Sequence, residues 1–196
     1  MHYFSIESNE RTNVFSVIAF ASVFFSWGLN KLFEIFSLVI PWWIDAPSVV
    51  GFFSILILLF NLFLWKVNWV RKSLNIITPD ITGNWEGYIK TNFENFEKPI
   101  PAELIIEQKW MKIMIEFKTS SSTSKSMSAN IVKRGDEYEI LYSYDNYPKG
   151  GQPETLVPHK GFVIAIYNPV KKKIEGQYFT DPHRKNNGIF CFNKKP

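Results

Sequence analysis

The first part of the chain contains two long apolar stretches. Residues 12–30 form a run of 19 uncharged residues, and residues 46–65 form a second run of 20. A helix rises about 1.5 Å per residue, so each run covers the roughly 30 Å core of a bilayer. A core helix of a soluble protein is seldom apolar on every face over such a length. The sequence therefore predicts two transmembrane helices at these positions, in a hairpin domain of residues 1–75.

Two serines in the first run form a small-xxx-small pair, Ser22 and Ser26. Small residues at this spacing let two membrane helices approach closely. The pair fits packing of the two helices within one hairpin, and it also fits contact between protomers. The sequence leaves both roles open.

From Gly83 onward, apolar and polar residues alternate with a period of two, and turn residues interrupt the pattern every 8–15 positions. This pattern is typical of strands with one buried and one wet face. Eight strands are predicted, at about 83–91, 101–108, 111–119, 126–133, 137–144, 160–167, 172–180 and 187–194. Eight short strands favour a closed antiparallel up-and-down β-barrel over residues 76–196, with a two-sheet sandwich as the alternative. The fold class is thus a membrane-anchored all-β protein.

The lengths of the predicted connections differ between the two ends of such a barrel. The joins at the end where the chain enters are short, whereas the far end carries the longer loops 92–100, 120–125, 145–159 and 181–186. Long loops on a rigid scaffold commonly hold binding groups. The tight base is expected to face the bilayer and the open mouth to face away from it.

The alternation also predicts which side chains point into the barrel. We take Trp85, Ile113 and Ile140 as inward, with a base filled by apolar residues. Hydroxyl-bearing side chains then line the mouth, and with one cation from the last loop they form the predicted ligand site. Its residues are Thr91, Thr119, Ser121, Tyr142, Tyr144, Tyr178, Thr180 and Arg184. The alternative is that the tyrosines fill a solid barrel.

Charge is distributed unevenly along the chain. Residues 1–80 hold five basic and five acidic residues, whereas residues 81–196 hold 17 and 13. Lys66, Arg71 and Lys72 follow the second apolar run, and the link between the runs contains only Lys31. The positive-inside rule then predicts a multi-pass membrane protein with both termini and the barrel in the cytoplasm.

Catalytic chemistry is scarce in this sequence. The single Cys191 excludes a disulfide framework and a cysteine-based zinc site, and the three histidines do not have metal-ligand spacing. The serine-rich run at 120–124 is interpreted as a flexible loop with hydroxyl donors. We expect no catalytic residues, no metal and no cofactor, and therefore a binding module instead of an enzyme.

The loop T-D-P-H-R-K-N-N-G near the end of the chain brings His183, Arg184 and Lys185 to the mouth, and Lys125, Lys149, His159 and Lys160 flank other rim loops. Cations and hydroxyls bind phosphate oxygens, and aromatic rings stack on bases. The mouth therefore fits a nucleotide that carries phosphate. The modest basic charge is not gathered into a stripe, so DNA and RNA are not expected as partners.

Three segments carry a resemblance to a known family. They are I-T-G-N-W-E-G-Y at 81–88, I-I-E-Q-K-W-M-K-I-M-I at 105–115, and I-E-G-Q-Y-F-T-D…R…N-G-I-F at 174–190, all behind two predicted spans. With them the chain resembles the SMODS-associating two-transmembrane β-strand-rich proteins, which are CD-NTase-associated effectors of bacterial CBASS antiphage systems. The resemblance covers nearly the whole chain.

The resemblance implies a receptor whose ligand triggers disruption of a membrane. A CD-NTase would make a cyclic dinucleotide, the barrel would bind it, and the protein would form homo-oligomers whose helices disrupt the inner membrane in abortive infection. Two other functions stay open from the residues alone. One is a membrane-tethered, lipocalin-like carrier of a lipid or another hydrophobic ligand, and the other is a constitutive membrane scaffold.

Overall fold

A computed structural model describes residues 1–37, 45–151, 157–181 and 186–195. The chain forms two compact units, one made of Met1–Glu7 with Thr78–Pro196 and the other of Ser8–Ile77. The sequence pattern predicts that residues 1–75 form the helical hairpin. In the structure the first seven residues belong instead to the strand-rich unit.

The unit of residues Ser8–Ile77 is helical. It contains α1 (Glu10–Ile35), α2 (Asp45–Leu62), a short 3-10 turn at Leu64–Lys66 and α3 (Asn68–Ser73). By length and composition, α1 is long and apolar enough to cross a membrane, and Ser48–Leu62 within α2 is a shorter apolar helix. The second predicted span, 46–65, therefore ends earlier as a regular helix, because the backbone leaves the helical conformation at Phe63, where φ is −133°.

Helices α1 and α2 pack through small and aromatic side chains. Ser22 and Ser26 are buried, and Ser26 Oγ hydrogen-bonds to Ser48 Oγ on α2. The rings of Phe25 and Phe52 stack with their centroids 5.8 Å apart. Of the two roles that the sequence left open for the serine pair, the structure shows packing within one hairpin.

The other unit is a closed barrel. Its strands are β1 (His2–Ile6), β2 (Gly83–Thr91), β3 (Ile100–Gln108), β4 (Lys112–Lys118), β5 (Ser122–Arg134), β6 (Glu137–Pro148), β7 (His159–Asn168), β8 (Lys173–Thr180) and β9 (Asn187–Lys194). Strands β2 to β9 pair antiparallel with their neighbours in chain order, and β2 closes the ring against β9. The eight predicted strands and the up-and-down barrel are confirmed, and the sandwich is excluded.

The predicted alternation decides which side chains fill the barrel. Trp85 and Ile113 are fully buried, and Ile140 is 2% exposed, so their inward direction is confirmed. At the base, Trp85 Nε1 donates to Ile81 O at 3.1 Å, and Ile81 N donates to Gln108 Oε1 at 3.0 Å. The segment around Ile81, just before β2, is thereby hydrogen-bonded across the base of the barrel, and the barrel is solid at this end.

Strand β1 was missed by the sequence reasoning. It lies between β4 and β5, antiparallel to β4 at His2 and parallel to β5 from Phe4 to Ile6. Strands β4 and β5 pair directly only near the mouth, and the register of β5 shifts between Ser126 and Ser128. Below that bulge the two strands separate, and β1 supplies the missing partner that keeps their edges covered.

The structure confirms a base of short joins and a mouth of longer loops, with one correction. Strand β5 begins at Ser122, so most of the serine-rich run is strand, and the β4–β5 join contains only Thr119, Ser120 and Ser121. The sequence predicts a loop there because serine is a common turn residue. Closure of the barrel pairs it with β6 instead.

The contribution of β1 is testable at Phe4, which is 2% exposed and packs in the barrel core. We expect Phe4→Ala to lower the free energy of unfolding by about 3–5 kcal/mol, because it removes a buried ring and leaves a cavity. Tyr3 on the same strand is 61% exposed and lies over Lys112 Nζ at 4.6 Å. Its replacement by alanine should cost less than about 1 kcal/mol. Urea denaturation of the full-length protein in detergent measures both, and equal small losses would contradict a core role for β1.

Candidate functional site

The mouth of the barrel opens into a cavity of about 900 Å³. Its deeper walls are apolar and include Ile89, Ile100, Phe117, Val163 and Phe190. The upper walls are polar and include Thr91, Asn92, Thr119, Ser121, Ser122, Ser124, Asn146, His159 and Asn186. A concave site of this size with polar groups above an apolar floor is typical of small-molecule binding. The barrel is therefore hollow at the mouth, and the solid-barrel alternative is wrong there.

Two glycines keep the tyrosines against the wall of the cavity. A Cβ at Gly161 would come within 3.0 Å of Tyr144 Oη and Cζ, and a Cβ at Gly188 within 3.0 Å of the Tyr178 ring. Gly161 is the cross-strand partner of Tyr144, and Gly188 is the partner of Tyr178. Each tyrosine therefore packs on a neighbouring strand that lacks a side chain, and the space above it stays open.

A buried polar network forms the wall contributed by β5 and β6. Asn146 Nδ2 donates to Ser122 Oγ at 3.1 Å and to Ser124 Oγ at 2.8 Å. Thr119 Oγ1 accepts from the backbone N–H of Ser122 at 3.0 Å, which shapes the tight β4–β5 join. These side chains are all at least nine-tenths buried. The hydroxyls and the amide are consequently held in fixed positions beside the cavity.

Hydrogen bonds between loops fix the rim. Asn92 Oδ1, after β2, accepts from the backbone N–H of Asn187 on β9 at 3.2 Å. Lys149 joins the β6–β7 loop to the β4–β5 join, since its backbone N–H donates to Ser121 O at 2.9 Å and its Nζ to Thr119 O at 2.5 Å. The described part of the rim is thus tied together across neighbouring strands.

The Tyr142 hydroxyl stays neutral in this environment. Burial raises the pKa of the Tyr142 hydroxyl, and the neighbouring Tyr144 raises this pKa further. Tyr142 is therefore protonated at neutral pH and is able to donate a hydrogen bond to a ligand oxygen. A protonated hydroxyl suits an anionic ligand better than a phenolate would, because the phenolate would repel it.

Six of the eight predicted site residues line the cavity: Thr91, Thr119, Ser121, Tyr142, Tyr144 and Tyr178. Thr180 does not belong to the lining formed by described residues. Its Oγ1 donates to Asn186 O and accepts from Asn186 N, both at 2.9 Å, so it shapes the last rim loop. Arg184 lies outside the described residues, with His183 and Lys185.

Of the described basic residues expected at the mouth, one lines the cavity and another points away from it. His159 lines the cavity, where its ring makes an edge-on contact with Tyr144 at 6.4 Å between centroids. Lys125 points outward and lies 3.6 Å from Glu116. Among the described residues, the lining contains no lysine or arginine, and Glu94 is its acidic member.

The sequence reasoning missed several lining residues, of which Asn146 is a buried polar one. The alternation was followed only to Tyr144, whereas β6 continues to Pro148. Continuing the same period of two by one step would have placed Asn146 inward. Phe93 and Glu94 were also missed, because they lie in a 3-10 turn that has no strand periodicity. Within the described ranges no cluster of three or more His, Cys, Asp or Glu could hold a metal ion.

Comparison with known proteins agrees with this geometry. The family model described as the Cap15 cyclic dinucleotide receptor domain matches residues 76–194, and the model of the Cap15 TM helices matches residues 12–66. The chain is 32% identical over 150 residues to a CD-NTase-associated protein 15 of Yersinia aleksiciae, which covers 75% of this chain and 69% of that protein. It is 25% identical over 140 residues to a CD-NTase-associated protein 15 of Staphylococcus schleiferi, over 70% of this chain and 74% of the relative.

The glycine beneath Tyr144 provides a test of the cavity wall. We expect Gly161→Ala to lower the free energy of unfolding by about 1–3 kcal/mol, because its methyl group would overlap Tyr144 and Phe179 O. Gly150 has nothing within 4 Å of an added Cβ, so Gly150→Ala should change stability by less than about 0.5 kcal/mol. Urea denaturation compares the two variants. An unchanged stability of Gly161→Ala would contradict the close packing of Tyr144 and Phe179 O on this glycine.

Proposed function

The chain belongs to the Cap15 family of CD-NTase-associated proteins, and on this premise we propose that it is a CBASS effector whose barrel mouth binds a cyclic dinucleotide. Residues 76–194 are its cyclic dinucleotide receptor domain, and residues 12–66 contain its transmembrane helices. The proposed consequence of binding is homo-oligomerisation, after which the helices disrupt the bacterial inner membrane and the infected cell dies.

The observation that carries the binding proposal is the hollow mouth. Its volume of about 900 Å³ falls in the range of small-molecule pockets, and it offers hydroxyls, amides and aromatic rings on rigid strands. A cyclic dinucleotide presents phosphate oxygens, sugar hydroxyls and two planar bases, which these groups can bind. The ligand contacts proposed for Thr91, Thr119, Ser121, Tyr142, Tyr144 and Tyr178 rest on this match. Those of Thr180 and Arg184 rest on the sequence, where Arg184 supplies positive charge for a phosphate.

The place of β1 supports the proposed membrane topology. Only Glu7, Ser8 and Asn9 separate β1 from α1, and β2 follows the helical unit in the same barrel as β1. The chain segments before α1 and after α3 therefore need to lie on the same side of any membrane that the helices enter. Such an arrangement requires an even number of crossings, which favours two spans. With Lys66, Arg71 and Lys72 after the second span, we propose that the barrel is cytoplasmic.

Ligand-driven assembly has an energetic condition. A ligand shifts the monomer towards an oligomer only if it binds the oligomer more tightly. Strands β1 and β2 join the barrel to the two ends of the helical unit, so a change in how barrels associate is passed to the helices through the chain. We propose this covalent link as the route from the occupied mouth to the membrane.

Binding is tested by calorimetry on the full-length protein in detergent, titrated with cyclic di-AMP, cyclic di-GMP, cyclic GMP–AMP and cyclic UMP–AMP. We expect one or more of them to bind, and Tyr142→Phe to weaken that binding about 10- to 100-fold, since it removes a donor to an anionic ligand. Tyr167→Phe is the matched control, because Tyr167 is equally buried but packs on Trp85 at the base. No binding of any cyclic dinucleotide would refute the proposed function, and a co-purified acyl chain in the cavity would favour the lipid carrier instead.

Membrane disruption is tested with the full-length protein reconstituted in vesicles that contain a self-quenched dye. We expect the bound cyclic dinucleotide to release the dye, and Tyr142→Phe to shift the half-maximal ligand concentration by the same factor as its affinity. Tyr167→Phe should behave like the unmodified protein. Ligand binding without dye release would contradict the proposed effect on the membrane while leaving the receptor function intact.

A further inference from the structure

Phe93 is the most exposed aromatic side chain of the barrel unit within the described residues. It is 88% exposed, yet it belongs to the lining of the cavity. It occupies the middle of the 3-10 turn Asn92–Glu94 that follows β2 directly. No other aromatic ring of the described chain packs against it. A large apolar ring is therefore presented to solvent at the entrance of the binding cavity.

The turn that carries Phe93 is held in place by hydrogen bonds. Phe96 N donates to Thr91 O at 2.9 Å, and Asn187 N donates to Asn92 Oδ1 at 3.2 Å. Asn95 and Phe96 adopt left-handed backbone conformations, with φ of 49° and 61°. Residues other than glycine rarely adopt this left-handed backbone conformation. Its occurrence at two consecutive residues therefore reflects the hydrogen bonds that fix the turn. These hydrogen bonds consequently hold the backbone of Phe93 in place at the rim.

The ring order of the barrel places Phe93 across the mouth from a second aromatic group. At the mouth, where β4 and β5 pair directly, β6 lies four places from β2 in either direction around the ring, which is the opposite wall. Tyr144 on β6 and His159 on β7 form an edge-on pair there. A ligand that spans the mouth would meet Phe93 on one side and this pair on the other. A cyclic dinucleotide carries its two planar bases on opposite sides of its ring, so when it spans the mouth it presents one base to each of these aromatic groups.

We propose that Phe93 is a ligand-binding residue on which one base of the cyclic dinucleotide stacks. The inference rests on the proposed function and adds a residue that lies outside the strand pattern. Base stacking on an aromatic ring is strong and tolerates different bases, because every base has a flat face. The contact also covers the apolar ring of Phe93, which is in water when the site is empty.

Phe96 offers a matched comparison within the same turn. It is 40% exposed but does not belong to the cavity lining. Single exposed apolar side chains are common on protein surfaces and need no ligand to explain them. If exposure alone mattered, substitutions of Phe93 and Phe96 would have similar effects on binding. The proposal predicts that they differ.

The test is calorimetric titration of the full-length variants with whichever of the four cyclic dinucleotides binds the unmodified protein. Phe93→Ala should weaken binding about 5- to 150-fold, and Phe93→Leu should weaken it less. Phe93→Trp should bind at least as tightly as the unmodified protein, because the larger ring stacks better. Phe96→Ala should leave the affinity within about twofold. Since Phe93 is exposed, the unfolding midpoints of its variants should match that of the unmodified protein, and the order Trp, Phe, Leu, Ala then reports stacking.

The outcomes separate this inference from the function on which it rests. If the unmodified protein binds none of the four nucleotides, the proposed function fails. If it binds one of them and Phe93→Ala binds equally well, stacking on Phe93 is refuted while the receptor function stands. If Phe93→Ala keeps its affinity but loses ligand-dependent self-association, the ring belongs to an interface between copies, which also overturns the proposal. If Phe93→Ala unfolds, the comparison of Phe93→Trp with Phe93→Leu decides.

Discussion

The barrel depends on closure of the gap between strands β4 and β5, which we call the seam. Strands β4 and β5 pair beside the mouth and then diverge below the bulge between Ser126 and Ser128. Two open strand edges inside a sheet would leave backbone N–H and C=O groups without partners, which is costly in a buried position. Strand β1 covers both edges. Ser126 Oγ shares a hydrogen bond with His2 Nε2 at 2.7 Å and accepts one from Ile115 N at 2.9 Å. Everything above the seam, including the mouth, rests on this closure.

The same closure ties the receptor to the membrane part through both ends of the helical unit. Strand β1 precedes α1 by three residues, and the segment before β2 is hydrogen-bonded across the base through Gln108. The helices are thus an insertion between the first and second strands of one barrel. A chain that had simply joined a hairpin to the N-terminus of a barrel would hold the helices at one point. Here the barrel is joined to both ends of the helical unit, which suits the proposed transfer of an assembly signal.

The binding cavity depends on two wall positions that lack a side chain, as well as on the residues that line it. Gly161 and Gly188 allow Tyr144 and Tyr178 to pack against neighbouring strands, and the interior above Val163 and Phe190 remains open. At the base, the ring of the fully buried Trp85 packs on Tyr167 at 5.8 Å between centroids and fills the interior. One barrel therefore has a solid lower half that supplies stability and a hollow upper half that is free to bind. Hydrogen bonds among Thr119, Ser122 and Asn146 keep the polar wall of the hollow half rigid.

The sequence predicted the regular parts of the barrel because its signal is local. Alternation over five or more residues fixed the inward faces of β2, β4, β6 and β8, and with them six lining residues. It did not reveal β1, since the five residues His2–Ile6 carry too short a pattern to distinguish from a tail. It ended β6 too early, at Tyr144, because Asp145, Asn146 and Pro148 are residues of turns when considered alone. Asn146 was therefore missed, although it lies in phase with Tyr142 and Tyr144.

By itself, then, the sequence determined two apolar helices, eight strands, their order and the direction of their side chains, since each follows from periodicity along the chain. Only the tertiary structure decided that the N-terminal segment belongs to the barrel, that residues 122–124 are strand, and that the mouth is hollow. These three features depend on partners far away in the chain: the open edges of β4 and β5, the pairing with β6, and glycines opposite tyrosines. Periodicity within one segment does not identify the strand that pairs with it. The gap between β4 and β5 and the cavity at the mouth are therefore visible only in the closed barrel.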